Sequence, residues 1–392
     1  MFETMKKTAL TRKGANGRSA ILQAFALFLA LVFCVSCCSA LAEALTGPAA
    51  QSDESGDEEW DGSDGNSAGG PGEGDEDWEG SEGSGGTGLG GINENFDADD
   101  IPEDYLKTGA AAGRVENVYY ITANKQETKS CIVYLPVGYD DSDGLYNILY
   151  ILHASNGTPK NYLSAVGSTK LQRLLDHMIE NGEIDPLIVV AATYYSPSDE
   201  MLQYMPLEMQ VQRTKGFPEE MVTDIIPAVE SKYRTYGWAA ASGEDGVTLE
   251  DIVASRNHRA IAGFSLGGVA TWNVFLQQMQ AFKWFLPISE ASWDDGEGGI
   301  KGILDSDTSA EVLYNAVIDQ GYAKEDFMLF VATGGDDEAF DITTTQMVSL
   351  LEYADMFKPG ENVSCSMMNN GEHTLSALYT YLYHILPALF SE

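Results

Sequence analysis

The chain has 392 residues, a formal net charge of −38 and a hydrophobic share of 44%. The excess of 60 acidic over 22 basic residues argues against a nucleic-acid partner, because such binding needs a basic surface that displaces counterions. The hydrophobic share lies in the normal globular range, which excludes a chain that is disordered throughout.

Residues 1–46 have the pattern of an export signal. Basic residues precede an apolar run from Ala20 to Val35, and small residues follow it. Residues 34–37 resemble a bacterial lipobox, in which Cys37 would be the lipidated residue. Small residues between Ala40 and Ala44 alternatively suit an ordinary signal peptidase, and an uncleaved membrane anchor is a third alternative. The chain is therefore predicted to be secreted or lipid-anchored to the outer face of a bacterial cell membrane.

Residues 47–104 are predicted to form a disordered linker. Gly, Ser, Asp and Glu dominate residues 47–92, and apolar side chains are nearly absent from them. Such a segment buries too little surface to offset the entropy of ordering it. The linker separates the export segment from a single domain over residues 105–392.

The domain shows eight short apolar runs that alternate with helical patterns. The runs are Val115–Ile121, Cys131–Leu135, Asn147–Leu152, Leu187–Ala192, Ala260–Phe264, Trp284–Ile288, Phe327–Ala332 and Val363–Met367. Helices are predicted near residues 169–181, 218–234, 266–281, 309–320, 343–357 and 374–389. This order predicts an α/β fold with about eight strands in a mostly parallel sheet that is covered on both faces.

Two local patterns add detail to this prediction. The Asp- and Gly-rich segment from Gly138 to Gly144 predicts a hairpin turn between the second and third runs. Pro218 is followed by two Glu residues, which predicts the first turn of the helix at residues 218–234.

The sharpest motif is Gly-Phe-Ser-Leu-Gly-Gly at residues 263–268. It follows the fifth apolar run and opens a helical pattern, which is the strand–turn–helix context of a nucleophile elbow. Gly263 and Gly267 permit the tight turn that projects the hydroxyl of Ser265. The alternative is that Ser265 only caps the helix.

A serine nucleophile needs a base and an acid that orients the base. His373 follows the last run and precedes the last helix, which predicts a position at the carboxyl edge of the sheet beside Ser265. Asp336, Asp337 and Glu338 follow the seventh run and are the candidate acids. The order Ser, acid, His along the chain is that of α/β-hydrolases.

An oxyanion hole needs backbone N–H groups that face the developing negative charge. Leu266, directly after the serine, supplies one donor. The second is predicted from the loop after the third run, with the N–H of Ser155 as the candidate.

Further motifs extend over roughly residues 113–390. They include Val133–Pro136 with Gly138 and Tyr139, Tyr146–Tyr150, Ile225–Pro227, Ser255 and Arg256, the elbow, and Tyr381–Tyr383 with Leu386 and Pro387. Together they resemble the putative-esterase group of α/β-hydrolases that contains carbohydrate esterase family one: feruloyl esterases, acetylxylan esterases and esterase D-like enzymes. The resemblance implies Ser265 as nucleophile, Asp337 as acid, His373 as base, and Ser155 and Leu266 as oxyanion donors.

Two loops are expected to shape the acyl and alcohol pockets, residues 194–217 and 290–307. Tyr194, Tyr195 and Trp293 are candidates for stacking on a substrate, with core packing as an equal alternative, and His153 is placed to touch the site.

The predicted function is that of an exported serine esterase without a metal or organic cofactor. Its expected substrate is an acylated carbohydrate or a small ester. The leading candidate is plant polysaccharide that carries acetyl or feruloyl groups. An acyltransferase of the mycolyltransferase type and a non-catalytic binding protein of the same fold are the alternatives. The sequence leaves the oligomeric state open.

Overall fold

The apolar runs assemble into one mixed sheet in a computed structural model, which describes residues 95–96, 100–200, 205–241 and 246–391. Among these residues the sheet has nine strands, in the order β1-β9-β8-β7-β6-β4-β5-β3-β2. The strands are β1 Asn95–Phe96, β2 Arg114–Ile121, β3 Thr128–Leu135, β4 Asn147–Leu152, β5 Leu187–Ala192, β6 Arg259–Phe264, β7 Trp284–Ile288, β8 Met328–Gly334 and β9 Val363–Met368. Only the pairs β2–β3 and β3–β5 are antiparallel.

Helices connect most of the parallel strands. They are α1 Lys170–Glu180, α2 Pro197–Glu200, α3 Leu207–Glu220, α4 Ile226–Glu230, α5 Tyr236–Ala240, α6 Leu249–Ala254, α7 Leu266–Gln277, α8 Ser306–Asp319, α9 Phe340–Leu350 and α10 Leu375–Ile385. Short 3-10 turns occupy Tyr139–Asp141, Pro159–Asn161, Arg256–His258, Lys301–Leu304, Lys324–Asp326 and Leu386–Ala388.

Both faces of the sheet are covered by apolar side chains. In β4, Tyr150 and Leu152 belong to one core layer, whereas Leu149 and Ile151 belong to the other. Successive side chains of a strand point to opposite faces, so a strand buried on both faces is apolar at every position. The predicted α/β class and its mostly parallel sheet are confirmed.

The predicted hairpin turn at residues 138–144 is wrong. β3 and β4 are not neighbours in the sheet, because β5 lies between them. Tyr139–Asp141 instead forms a 3-10 turn after Gly138, whose φ is +79°. Gly and Asp indicated correctly that the chain turns here, but they carry no information about which strands pair.

The predicted helix start at Pro218 is also wrong. Pro218 lies inside α3, which begins at Leu207. Pro218 and Pro227 each remove one backbone donor from this helical stretch. The turn between them, Met221–Ile225, has π geometry, a widening that is typical of an interrupted helical ladder. The stretch ends at Glu230 rather than at residue 234.

The folded unit includes chain that lies before residue 105. β1 pairs in parallel with the end of β9, and Phe96 is buried against the rings of Tyr381 and His384. These residues belong to the sheet, so the predicted linker boundary at residue 104 is too late. The export segment and residues 47–94 of the predicted linker lie outside the described residues. In the part of the chain that the structure describes, no helix is long and apolar enough to cross a membrane.

Candidate active site

Ser265 stands at a strained turn between β6 and α7. Its φ of 57° and ψ of −126° lie outside the regions that non-glycine residues ordinarily adopt, and such a conformation costs on the order of 1–3 kcal/mol. The Ser265 N–H donates to the carbonyl of Ile288 at 3.0 Å, which ties the turn to β7. Backbone strain that the surrounding structure maintains is typical of functional sites.

The two glycines of the motif allow close backbone approach at this turn. A Cβ at Gly263 would overlap the carbonyl of Gly267, and a Cβ at Gly267 would overlap the carbonyl of Leu152. The motif therefore packs the nucleophile turn directly against the end of β4, where the predicted oxyanion loop begins.

His373 lies beside the turn that carries Ser265 and is hydrogen-bonded to Asp337. The distance from Nδ1 of His373 to Oδ1 of Asp337 is 2.8 Å. The His373 ring packs against Phe264, the residue before the serine, with 4.6 Å between ring centroids. With the Nδ1 proton donated to the carboxylate, Nε2 keeps the lone pair that a general base needs.

Of the three candidate acids, Asp337 is the one that reaches the imidazole. The side chain of Asp337 is fully buried, and its Oδ1 also accepts the N–H of Ala339 at 2.7 Å. Asp336 and Glu338 are exposed. The backbone N–H of Asp336 donates to the carbonyl of Gly371 at 3.0 Å, which joins the loop after β8 to the loop after β9.

Charge around His373 favours its protonated form. Burial alone lowers the pKa of His373, but the hydrogen bond and charge of Asp337, with the charges of Glu290 and Glu338, raise it overall. A buried imidazole held in this way can accept a proton in a transition state, and the adjacent carboxylate stabilises the resulting cation.

The predicted oxyanion loop is a tight turn after β4. The N–H of Gly157 donates to the carbonyl of Ala154 at 3.0 Å, and Asn156 has a φ of 53°. Ser155 lies between Ala154 and Asn156 in this turn. Across the site, Leu266 is the first residue of α7, where N–H groups have no acceptor within the helix.

The family comparison agrees with this geometry. The model of the family described as "Putative esterase" matches residues 123–326, about half of the chain. The chain belongs to the putative esterase family.

Two curated relatives of this esterase domain are much longer proteins. Endo-1,4-beta-xylanase Y of Acetivibrio thermocellus is 31% identical over 296 residues, which make up 74% of this chain and 24% of the relative. An endo-1,4-beta-xylanase/feruloyl esterase of Xylanibacter ruminicola is 24% identical over 43% of this chain and 20% of the relative. The chain thus spans a quarter or less of the length of these relatives.

A solved structure matches this chain over nearly its own whole length. It is the feruloyl esterase module from Clostridium thermocellum, a Ser-to-Ala mutant in complex with sinapinate. The module is 29% identical to this chain, with a TM-score of 0.64, and the match covers 77% of this chain and 96% of the module.

Three of the predicted substrate-contacting residues are instead packed together inside the esterase domain. His153, Tyr194 and Tyr195 are each at most 3% exposed, and their rings lie 4.5 to 5.0 Å apart. The Tyr194 hydroxyl donates to the carbonyl of His153 at 2.7 Å. Burial lowers the pKa of His153 to about 4, so its ring is neutral. The core-packing alternative therefore describes Tyr194 and Tyr195, and His153 packs with them next to the turn after β4.

Trp293 is also buried, and it points to a residue that the sequence analysis missed. Its Nε1 donates to Oε1 of Glu290 at 3.0 Å. Glu290 follows β7, between the strands that carry Ser265 and Asp337, and burial raises its pKa to about 7. An acid two residues after a buried parallel strand was a usable signal, because the carboxyl ends of such strands form the site in α/β folds.

No metal centre is evident among the described residues. In that part of the chain, no group of three or more His, Cys, Asp or Glu side chains is arranged to hold a metal ion.

Proposed function

We propose that the chain is a serine carboxylic-ester hydrolase in which Ser265, His373 and Asp337 form a catalytic triad. The observation that carries the proposal is the 2.8 Å bond between His373 and buried Asp337, with the imidazole packed beside the strained turn that holds Ser265. Membership of an esterase family gives independent support.

In the proposed reaction, Oγ of Ser265 attacks the ester carbonyl while Nε2 of His373 accepts its proton. Asp337 stabilises the imidazolium, which then gives the proton to the departing alcohol. A water molecule activated by the same imidazole hydrolyses the acyl-enzyme and releases the acid. The N–H groups of Ser155 and Leu266 are proposed to bind the oxyanion, where one donor is worth about 3–4 kcal/mol.

The proposed substrate is a feruloyl or acetyl ester of plant polysaccharide. Support comes from the relatives, since one is named a xylanase/feruloyl esterase and a feruloyl esterase module was solved with sinapinate. A neutral ester also suits a chain with a net charge of −38, because an anionic substrate would be repelled during its approach.

Turnover by the purified full chain tests the activity and the substrate together. We expect release of p-nitrophenol from p-nitrophenyl acetate, and higher kcat/KM on feruloylated than on acetylated xylo-oligosaccharides. Equal rates on both oligosaccharides would contradict the feruloyl preference alone. Absence of turnover on every ester would contradict the hydrolase.

Export and lipid anchoring are proposed on the pattern of residues 1–46, which lie outside the described residues. We expect fatty-acid labelling of the chain in a bacterial host, and its loss in Cys37→Ser. Cys38→Ser is the matched control, because it changes the neighbouring cysteine. Labelling that persists in Cys37→Ser would contradict lipidation at this residue.

A further inference from the structure

Gln210 lies at the centre of a hydrogen-bond network around the turn after β4. Its Oε1 accepts the hydroxyl of Ser155 at 2.6 Å and the hydroxyl of Tyr195 at 2.6 Å. The N–H of Asn156 is 3.3 Å from the same oxygen and 3.1 Å from the Tyr195 hydroxyl. One amide oxygen thus gathers donors from two consecutive residues of the turn.

The orientation of this amide is determined by its other end. Nε2 of Gln210 donates to the carbonyl of Met205 at 2.8 Å, so Oε1 must be the atom that faces the turn. Gln210 is fully buried, and water therefore does not replace its contacts. Removal of the acceptor would take this partner away from the hydroxyls of Ser155 and Tyr195.

The helix that carries Gln210 is also attached to the nucleophile helix. Thr214, one turn further along α3, accepts a hydrogen bond from Nδ2 of Asn273 in α7 at 3.1 Å. α3 therefore contacts both sources of the proposed oxyanion donors: α7, which begins with Leu266, and the turn that contains Ser155.

From this geometry we propose that Gln210 is a positioning residue, which holds the turn so that the Ser155 N–H faces the reacting carbonyl oxygen. This inference rests on the proposed function. Gln210 acts through the turn and does not touch the substrate. Its acceptor oxygen binds the Ser155 hydroxyl and lies 3.3 Å from the Asn156 N–H, so it holds the residue that carries the donor and the peptide that follows it. A donor displaced by about 1 Å can cost on the order of 100-fold in rate.

The first test compares two Gln→Met variants of the full chain, which keep side-chain volume and remove the amide. Gln210→Met is expected to lower kcat on p-nitrophenyl acetate by about 10- to 100-fold, with KM changed by less than about twofold because ground-state binding does not use the oxyanion hole. Rates are expressed per active site titrated with a fluorophosphonate, so a partly unfolded sample does not imitate the effect.

Gln172→Met is the matched control. Gln172 is buried on α1 and donates to the carbonyl of Gly113 at 3.0 Å. β2 runs parallel to β5, because both are antiparallel to β3. Gly113, just before β2, therefore lies at the amino ends of the parallel strands, whereas Ser265 lies at their carboxyl ends. We expect kcat per titrated site to remain at the wild-type value in this variant.

Gln210→Glu and a transition-state analogue separate positioning from packing. Burial favours the neutral, protonated form of a glutamic acid at this position. That form keeps the acceptor oxygen and can donate to the Met205 carbonyl, so Gln210→Glu should recover most of the kcat lost in Gln210→Met. Inhibition by a trifluoromethyl ketone, which forms an oxyanion on the serine, should weaken in Gln210→Met by the same factor as kcat/KM falls.

Unchanged kcat per titrated site in Gln210→Met overturns the inference, as does an equal loss in Gln172→Met. If Gln210→Met does not fold, Ser155→Ala and Tyr195→Phe test the inference, because each removes one hydroxyl that donates to Gln210. Unchanged kcat in both variants overturns the inference. A wild-type chain without turnover or labelling overturns the proposed function itself, which is a different result from an active wild type with an unaffected variant.

Discussion

The two sides of the candidate site are held in place by different means. On the acid–base side, the loops after β8 and β9 meet through backbone contacts, including the bond from Asp336 N–H to the Gly371 carbonyl. On the oxyanion side, the turn after β4 is held by side chains, above all Gln210 and Tyr195. Backbone contacts between adjacent strands follow from the sheet, whereas side-chain contacts depend on single residues. The oxyanion side should therefore be the easier one to alter by substitution.

The largest expected effect is at Ser265, where the two sides meet. Ser265→Ala removes the nucleophile, so kcat should fall by on the order of 10⁶, and covalent labelling by a fluorophosphonate should disappear. Labelling of the variant at the wild-type rate would show that another residue is the nucleophile.

The next effect tests the acid–base side by comparing two neighbouring acids. Asp337→Asn should lower kcat by on the order of 10⁴, because an amide favours the wrong tautomer of His373. Asp336→Asn is the control, since its side chain is exposed; its kcat should stay within about twofold of wild type. The reverse ranking would assign the acid role to Asp336.

A smaller effect tests whether backbone contact maintains the acid–base side. A Cβ at Gly334 would overlap the Gly371 carbonyl, so Gly334→Ala should lower the free energy of unfolding by about 1–3 kcal/mol and reduce kcat through displacement of His373. At Gly335 the nearest atom would be 3.4 Å from the added Cβ, so Gly335→Ala should change stability by less than about 0.5 kcal/mol. Chemical denaturation measures both, and equal stabilities would contradict the packing argument.

The smallest effect concerns Glu290, which lies between the two sides. Burial raises its pKa from the usual 4.5 to about 7, so the folded state binds the proton more tightly than the unfolded chain does. The stability from protonated Glu290 is fully present below about pH 4.5 and is lost as the pH rises through about 7. Between about pH 5 and pH 8, the Tm of wild type should therefore fall more than that of Glu290→Gln.

Glu250→Gln is the control for this pH dependence, since Glu250 is an exposed acid in the first turn of α6. Its Tm should follow that of wild type over the same pH range. If Glu290→Gln also follows wild type, the carboxyl of Glu290 does not titrate in this range.

The acid–base side could be predicted from the sequence because its chemistry lies at strand ends. Ser265, Asp337 and His373 each follow an apolar run within a few residues, and parallel strands bring their carboxyl ends to one edge. The choice of Asp337 over Asp336 came from family resemblance, since adjacent residues of a turn cannot be separated by pattern alone.

The oxyanion side could not be predicted to the same depth. In the sequence, Pro218 favours a helix start, whereas it lies inside α3. Gln210 is a buried polar residue whose Oε1 accepts hydroxyls that lie 15 and 55 positions away, and no local pattern indicates such contacts. The sequence places His153, Tyr194 and Tyr195 near the site, but only their mutual packing in the structure reveals a supporting role.

The short strand β1 has a consequence for how the domain should be handled in the laboratory. It occupies the last part of the open edge of β9, where its carbonyl at Phe96 accepts the N–H of Asn369 at 2.8 Å. An expression boundary at residue 105 would remove this strand and its ring contacts with Tyr381 and His384. It would also remove the acceptor of the Asn369 N–H, four residues before His373. Exposed sheet edges pair with strands from other molecules, so a shortened domain should aggregate through the edge of β9 next to His373. An expression boundary before residue 95 keeps β1 on this edge.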